Sequence, residues 1–253
     1  MKCDAATLGN HDYDNGHEFL DKIMSEADFP YLISNAFDTE MPSGKFHETQ
    51  EPYKIFEIPT KDKNNPVIKI GVIGCTYNFP KSMAFLKPNE EFSEVKLDEY
   101  LPKIIEYSDI LKKEGVDSII LLIHTGFSCK NQSMTYGIYS PDDKATGCGQ
   151  DAESLLENLP EGTIDAILAS HSHKENHAWV NGIPVLSGTN QAKNSNVLYL
   201  AFDRKTFKFD SKKVRIEGPL PACEKIFSGS KNCNAISSKS NDPGELQDYK
   251  FHG

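Results

Sequence analysis

The sequence predicts a layered α/β domain, and two observations lead to this prediction. Apolar, strand-like runs alternate with amphipathic helical segments along most of the chain, which is the pattern of an α/β domain. Histidine-bearing motifs follow directly after several of these runs, at the sheet edge where ligand sites of open α/β sheets lie. A chain of 253 residues is within the range of one large domain of this kind.

The strands are predicted from short apolar runs rich in β-branched residues, such as VIKIGVIGC at 67–75 and SIILLI at 118–123. Further strands are predicted at 4–8, 30–34 and 164–169, and an antiparallel run at 178–180, 183–186, 197–202 and 206–215. Helices are predicted at 17–27, 97–114 and 151–159, where apolar residues recur at helical spacing. Gly115 stands where a helix C-terminus favours glycine.

Two parts are predicted along the chain: a domain at 1–220 and a polar tail or linker at 221–253, rich in Ser, Asn, Lys and Gly. Hydrophobic residues make up 38% of the sequence, enough for a sizeable core. No apolar run reaches eighteen residues, so no membrane span is expected.

The net charge of -10 argues against nonspecific binding to nucleic acid or to an anionic membrane. It does not exclude a phosphate ester, because bound divalent cations can reverse the sign of a pocket. The six cysteines form no C-x-x-C pair, and Cys129–Cys148 and Cys223–Cys233 are possible disulfides beside the alternative of free thiols. The compartment and the oligomeric state stay open.

Three motifs carry chemistry. The segment GNHD at 9–12 offers a turn, a neutral oxygen ligand at Asn10 and an adjacent histidine. His124 ends the strand at 118–123, and the pair His171/His173 follows the strand at 164–169. Imidazole is a common ligand of divalent metals, and an extended H-x-H segment would point both rings to one side. Three such motifs at strand ends favour a metal site.

The remaining histidines receive a structural interpretation. A single histidine is more often a hydrogen-bonded surface or core residue than a ligand. That reading applies to His17, His47, His177 and His252.

These motifs resemble calcineurin-like metallophosphoesterases, and GNHDYDNG at 9–16 resembles their 5'-nucleotidase branch. The matching segments are IILLIHTGF at 119–127, ILASHSH at 167–173 and the connecting segments 30–35, 52–55, 70–74 and 182–188. The resemblance covers roughly residues 4 to 220. It implies a four-layer fold, a β-sandwich flanked by helices, and hydrolysis of phosphate monoesters by metal-activated water. An extracellular or cell-surface location also fits this resemblance and the cysteines.

The resemblance implies roles for individual residues. Asn10, His124 and His171 would bind one of two divalent metals, with Zn, Mn, Fe and Co all compatible, and His173 would bind the other. His11 would contact the phosphate, and Asp14 would orient His11. Asp12 is expected to support the loop.

Two departures from the family pattern stand out. Ser170 replaces a glycine before the last histidine pair. The D-x-H and G-D blocks that open the family's domain have no counterpart in these 253 residues. The resemblance therefore implies a domain without its first strands, without the bridging carboxylate and without the nucleoside-binding C-terminal domain. We expect a fragment of a longer product, with any secretion signal upstream of Met1.

Two classes of function follow. The first is a nucleotide-directed phosphomonoesterase, with UDP-sugars or cyclic phosphodiesters as other substrates. The second is a binding or structural protein of the same fold in which catalysis is impaired. A D-x-H block and a G-D block encoded upstream of Met1 would favour the enzyme.

Overall fold

The computed structural model describes residues 3–38, 41–61, 63, 67–76, 95–97, 99–130, 136–143, 155–190 and 193–221. Within them the helices are α1 (His17–Glu26) and α2 (Tyr100–Lys113), with 3-10 turns at Asn10–Tyr13 and Ser211–Lys213. The strands are β1 (Ala36–Asp38), β2 (Tyr53–Pro59), β3 (Val67–Thr76), β4 (Val95–Leu97), β5 (Ser118–His124), β6 (Gly137–Tyr139), β7 (Ala166–Ala169), β8 (Asn176–Val180), β9 (Ile183–Ser187), β10 (Asn194–Tyr199) and β11 (Arg215–Pro221).

A six-stranded mixed sheet forms the centre of the described chain, in the order β2-β3-β5-β7-β9-β8. The four inner strands run parallel, and the two edge strands β2 and β8 pair antiparallel to them. The parallel strands are apolar runs, as is typical of strands with both faces covered. Because they run in the same direction, their carboxyl ends lie at one edge of the sheet.

The two faces of this sheet carry different layers. Ile73 and Leu121 belong to the core formed with Ile104 and Leu111 of α2. Their neighbours on the opposite face, such as Val72, pack in a separate cluster with residues that follow β10. Side chains alternate between faces along a strand, so one apolar run supplies both cores.

A second sheet, of order β10-β11-β6, covers part of the face opposite α2. Trp179 and Leu186 of the central sheet pack against Val214 and Ile216 beside and within β11. The described layers are thus helix, sheet and sheet. The predicted layered α/β class is confirmed, and the described residues show three layers of the expected four-layer fold.

The predicted strands at 4–8 and 30–34 reduce to isolated bridges. Ala6 bridges Tyr31, and Leu32 bridges Glu51. The amides of three consecutive residues bond to three different segments: Leu32 to Ala6, Ile33 to Glu51 and Ser34 to Gly74. No continuous ladder forms because this stretch passes from one neighbour to the next.

The predicted strand at 206–215 is wrong, since β11 begins at Arg215 and Ser211–Lys213 form a 3-10 turn. Asp203 Oδ1 accepts hydrogen bonds from the amides of Lys205 and Thr206, at 2.9 and 2.8 Å. Phe207 has a positive φ of 57°. Carboxylates that bind nearby amides in this way favour turns over ladders.

Other boundaries differ less. α2 begins at Tyr100 and not at 97, because residues 95–97 pair with β1 as β4. Of the helix predicted at 151–159, residues 155–158 are helical and those before them lie outside the described chain. The tail predicted at 221–253 also lies outside it, except for Pro221, the last residue of β11.

The described cysteines differ in state. Cys129 is disulfide-bonded, whereas Cys3 and Cys75 are free thiols. Cys148, Cys223 and Cys233 lie outside the described residues, so the two expected pairings stay predictions. Among the described helices, none has the length and apolarity needed to cross a membrane.

Candidate metal centre

Three neighbouring parallel strands end at one edge of the central sheet with polar side chains. In the parallel register Thr76 of β3 stands beside His124 of β5. Ile123 stands beside Ala169 of β7, so Ser170, the next residue, emerges next to His124. The loop with Asn10 and the turn with His171 meet this edge. The predicted site residues Asn10, His124 and His171 therefore lie at one edge of the central sheet.

Three side-chain atoms lie close together, one each from Asn10, His124 and His171. His124 Nε2 lies 2.9 Å from Asn10 Oδ1. His171 Nδ1 lies 3.2 Å from Asn10 Oδ1 and 3.2 Å from His124 Nε2. The two imidazole rings meet edge to face at 5.0 Å between centroids. The three donor atoms thus form a compact triangle.

The dimensions of this triangle fit one divalent cation. Nitrogen and oxygen ligands about 2.0–2.2 Å from a metal lie about 2.8–3.1 Å from one another at octahedral right angles and about 3.3–3.6 Å at tetrahedral angles. The observed separations of 2.9 to 3.2 Å are close to the octahedral spacing. The three donors are an amide oxygen and two imidazole nitrogens, which carry no negative charge. Among the described residues no carboxylate or thiolate joins His124 and His171 in a cluster of three such groups. The donor set therefore suits a cation with moderate affinity.

Gly9 allows the loop to approach His124. A Cβ at this position would lie 2.5 Å from Cε1 and 2.6 Å from Nδ1 of the His124 ring. The Gly9 amide donates a 2.6 Å hydrogen bond to Asp12 Oδ2, which closes the turn that holds Asn10. Burial, the largest cause, raises the pKa of Asp12. Asp12 is thus a loop support, as expected.

His124 is held neutral. Burial, followed by the charges of His171, His11 and His173, lowers its pKa from 6.5 to about 4. A neutral imidazole has a lone pair to give to a cation. At neutral pH no proton competes for His124.

His11 and Asp14 form a dyad beside the triangle. Asp14 Oδ2 lies 2.7 Å from His11 Nδ1. The short 3-10 turn at Asn10–Tyr13 places the two side chains three residues apart on one side. His11 is half exposed, whereas Asn10 is buried, so adjacent residues face solvent and metal site respectively.

The segment at 171–173 is not extended, so the extended H-x-H conformation expected from the sequence is wrong. His171 and His173 have positive φ values of 78° and 55°. His171 contacts Asn10 and His124, while His173 is exposed and influences His124 through its charge. Two left-handed residues redirect the chain, which removes the alternation of a strand.

Side-chain bonds hold this unusual turn. Ser172 Oγ donates to the Phe127 carbonyl at 2.9 Å, and Asn176 Nδ2 donates to the same carbonyl at 2.5 Å. The turn after β7 is thereby tied to the loop after β5. The two histidines at the ends of these strands are fixed relative to each other.

Ser170 contributes a contact that sequence reasoning missed. Its Oγ lies 2.6 Å from Nδ1 of His124, on the side of the ring opposite Nε2. Its own backbone does not adopt a positive φ, so replacing glycine causes no strain there. His124 and Ser170 each directly follow a predicted strand, but the pairing of those two strands, which brings the residues together, is not encoded in a sequence pattern.

The histidines given a structural interpretation lie elsewhere. His47 Nδ1 contacts Thr49 Oγ1 at 2.8 Å. His177 is buried and stacks on Tyr139 at 4.1 Å between centroids. His252 and the side chain of His17 lie outside the described part of the chain.

Two proteins of named activity are similar to this chain in sequence. The chain is 31% identical over 222 residues to the trifunctional nucleotide phosphoesterase protein YfkN of Bacillus subtilis, covering 81% of this chain and 14% of that protein. It is 32% identical over 180 residues to a 5'-nucleotidase of Vibrio cholerae, covering 68% of this chain and 26% of the relative.

Among solved structures, the calcineurin-like phosphoesterase YfkN of Bacillus subtilis matches with a TM-score of 0.63 and 28% identity, over 87% of this chain and 66% of that one. No family model matches the chain. The chain spans only 14% and 26% of the two sequence relatives. Its relatives and structural neighbours are calcineurin-like phosphoesterases and 5'-nucleotidases, and the resemblance stated from the sequence is confirmed.

Proposed function

We propose that this chain, a member of the calcineurin-like phosphoesterases, serves the metal-dependent hydrolysis of phosphate esters, with nucleoside monophosphates as the substrate class. The observation that carries the proposal is the triangle of Asn10, His124 and His171 donor atoms, 2.9 to 3.2 Å apart, beside the His11–Asp14 dyad. The sequence relatives named as nucleotide phosphoesterase and 5'-nucleotidase support it.

The triangle would hold one divalent cation, and His173, exposed at the same edge, would contribute to a second. A cation held there would act as a Lewis acid on a phosphoryl oxygen and activate water for attack on phosphorus. The chain's own contribution is to hold the three donors in a prearranged triangle, with Asn10 buried and with the pKa of His124 lowered, chiefly by burial. The negative net charge is compatible with this substrate because the cations change the local sign.

His11 would act on the phosphate. The hydrogen bond to Asp14 fixes the ring and favours the tautomer with a proton on Nδ1. Nε2, on the opposite side of the ring, is the atom directed toward a bound phosphoryl group. His11 would donate a hydrogen bond to the transition state after gaining a proton, and Asp14 would stabilise the resulting imidazolium.

The neutral donor set also supports a second candidate. The described residues place no carboxylate or thiolate at the triangle, and a site without an anionic ligand binds divalent cations less tightly. We therefore propose that the 253-residue chain by itself hydrolyses phosphate monoesters slowly. In the limiting case it is a binding or structural protein of the same fold.

Phosphate release from AMP tests the two candidates. The chain is assayed with excess Mn²⁺ or Co²⁺ and with EDTA, beside Asn10→Ala, His171→Ala and the control His47→Ala. A metal-stimulated rate that is lost in the first two variants and kept in the control supports the enzyme. Metal binding without release of phosphate favours the non-catalytic protein, and EDTA-resistant release by Asn10→Ala overturns both. Parallel assays on a cyclic nucleotide and a UDP-sugar identify the ester class.

A further inference from the structure

We propose that Ser170 is a positioning residue that allows His124 to exchange between a metal-free and a metal-binding tautomer. The inference rests on the proposed metal site. It concerns a residue at which this chain has a hydroxyl where the resemblance leads one to expect glycine.

The contact follows from the sheet register. β5 and β7 are parallel neighbours with Ile123 beside Ala169, so the next residues, His124 and Ser170, leave their strands side by side. Ser170 Oγ lies 2.6 Å from His124 Nδ1, the ring atom that faces away from the triangle. The distance is that of a strong hydrogen bond, and it fixes the rotation of the ring.

The two ring nitrogens of His124 have different partners. Nε2 lies 2.9 Å from Asn10 Oδ1 and 3.2 Å from His171 Nδ1, whereas Nδ1 lies 2.6 Å from Ser170 Oγ. Because the nearest partner of Nε2 is an amide oxygen, which can only accept, we assign the proton of the metal-free ring to Nε2, and Nδ1 then accepts from the Ser170 hydroxyl. To bind a cation, Nε2 must offer its lone pair, and the proton must then be on Nδ1. A glycine at position 170 has no side chain to accept a hydrogen bond from Nδ1–H, whereas the Ser170 oxygen can accept it.

The serine hydroxyl serves both states because it is donor and acceptor at once. It turns on its Cα–Cβ and Cβ–Oγ bonds without any change in the backbone. Outer partners of this kind orient metal-binding imidazoles, and their loss lowers metal affinity by about tenfold to a hundredfold. Ser170 is itself exposed, so truncation of its side chain leaves the core intact.

The test combines two measurements on the full chain. Co²⁺ affinity is measured for the unmodified chain and for Ser170→Ala, Ser170→Gly and Ser170→Thr. Ser128→Ala is the matched control, because the hydrogen bond that its hydroxyl accepts comes from Lys174 and not from Asn10, His124 or His171. The ¹⁵N signals of the His124 ring are recorded for the same proteins without metal.

We expect Ser170→Ala and Ser170→Gly to weaken Co²⁺ binding about tenfold or more. Ser170→Thr keeps the hydroxyl and should restore it, and Ser128→Ala should match the unmodified chain. In the metal-free proteins the His124 Nδ1 signal should move in the Ala and Gly variants only.

The outcomes separate two failures. Equal Co²⁺ affinity in the unmodified chain and Ser170→Ala overturns the inference while the metal site stands. Absence of Co²⁺ binding in every protein overturns the proposed function. An Nδ1 signal that does not change in metal-free Ser170→Ala overturns the inference independently of metal.

Discussion

His124 Nε2 and Asn10 Oδ1 lie 2.9 Å apart although 114 residues separate them along the chain. The parallel sheet explains the contact, because β5 delivers His124 to the edge that the Gly9 turn covers. This contact is not made within a single turn or helix. The distance between the two atoms therefore depends on the whole central sheet, and a measurement of it tests the fold and the site together.

Gly9→Ala is expected to displace the His124 ring. The new Cβ would lie 2.5 Å from Cε1 of that ring, so the loop or the ring must move. We expect unfolding free energy to fall by about 1–3 kcal/mol and Co²⁺ affinity to fall with it. Urea unfolding and a Co²⁺ titration measure the two effects.

Gly126→Ala is the matched control for this substitution. A Cβ at Gly126 would meet Ser172 Cβ at 3.5 Å and His171 Cδ2 at 3.8 Å, which are ordinary contacts. If Gly9→Ala and Gly126→Ala both kept the stability and Co²⁺ affinity of the unmodified chain, the close approach of Gly9 to the His124 ring would be unimportant.

The metal-free chain is expected to lose stability as the pH falls from 6.5 toward 4. The pKa of His124 is lowered from 6.5 to about 4, chiefly by burial, so in this window the unfolded chain binds a proton that the folded chain does not. At about 1.4 kcal/mol per pKa unit, the limiting loss is about 3 kcal/mol. Above the unfolded pKa both states are neutral and the contribution vanishes.

Urea unfolding of the chain and of His124→Gln, near neutral pH and near pH 4.5, measures this contribution. The unmodified chain should lose more unfolding free energy on acidification than the variant, because Gln cannot titrate. Parallel pH dependences in the two proteins would exclude a depressed pKa at His124.

Asp14→Asn is expected to lower kcat for phosphate ester hydrolysis by about a hundredfold or more, because the neutral amide no longer stabilises the His11 imidazolium. Asp14 contacts His11 and not the triangle, so Co²⁺ affinity should stay unchanged. Steady-state AMP hydrolysis in excess metal gives kcat. A variant with full kcat and lost Co²⁺ affinity would place Asp14 in the metal site instead.

The central strands and the site edge could be predicted because both depend on simple patterns. The apolar runs of β3 and β5 must be buried. Parallel strands end at the same edge of a sheet, and this placed His124 and His171 close to Asn10. The resemblance to phosphoesterases supplied the expected role of each of these residues.

Other features depend on single contacts that no pattern encodes. The strand predicted at 206–215 failed because Asp203 captures the local amides. The segment at 171–173 is not extended because His171 and His173 both take left-handed backbone conformations. The Ser170–His124 contact requires the register of β5 with β7, which becomes visible only in the folded chain.

The visible absorption spectrum of bound Co²⁺ tests the central claim most directly. If Asn10, His124 and His171 form one cation site, adding Co²⁺ to the chain produces ligand-field bands that disappear in the alanine variants of these three residues. The control His47→Ala keeps them, since His47 bonds to Thr49 away from the triangle. A spectrum identical to that of Co²⁺ in buffer, or bands that survive all three substitutions, would contradict the assignment of this site.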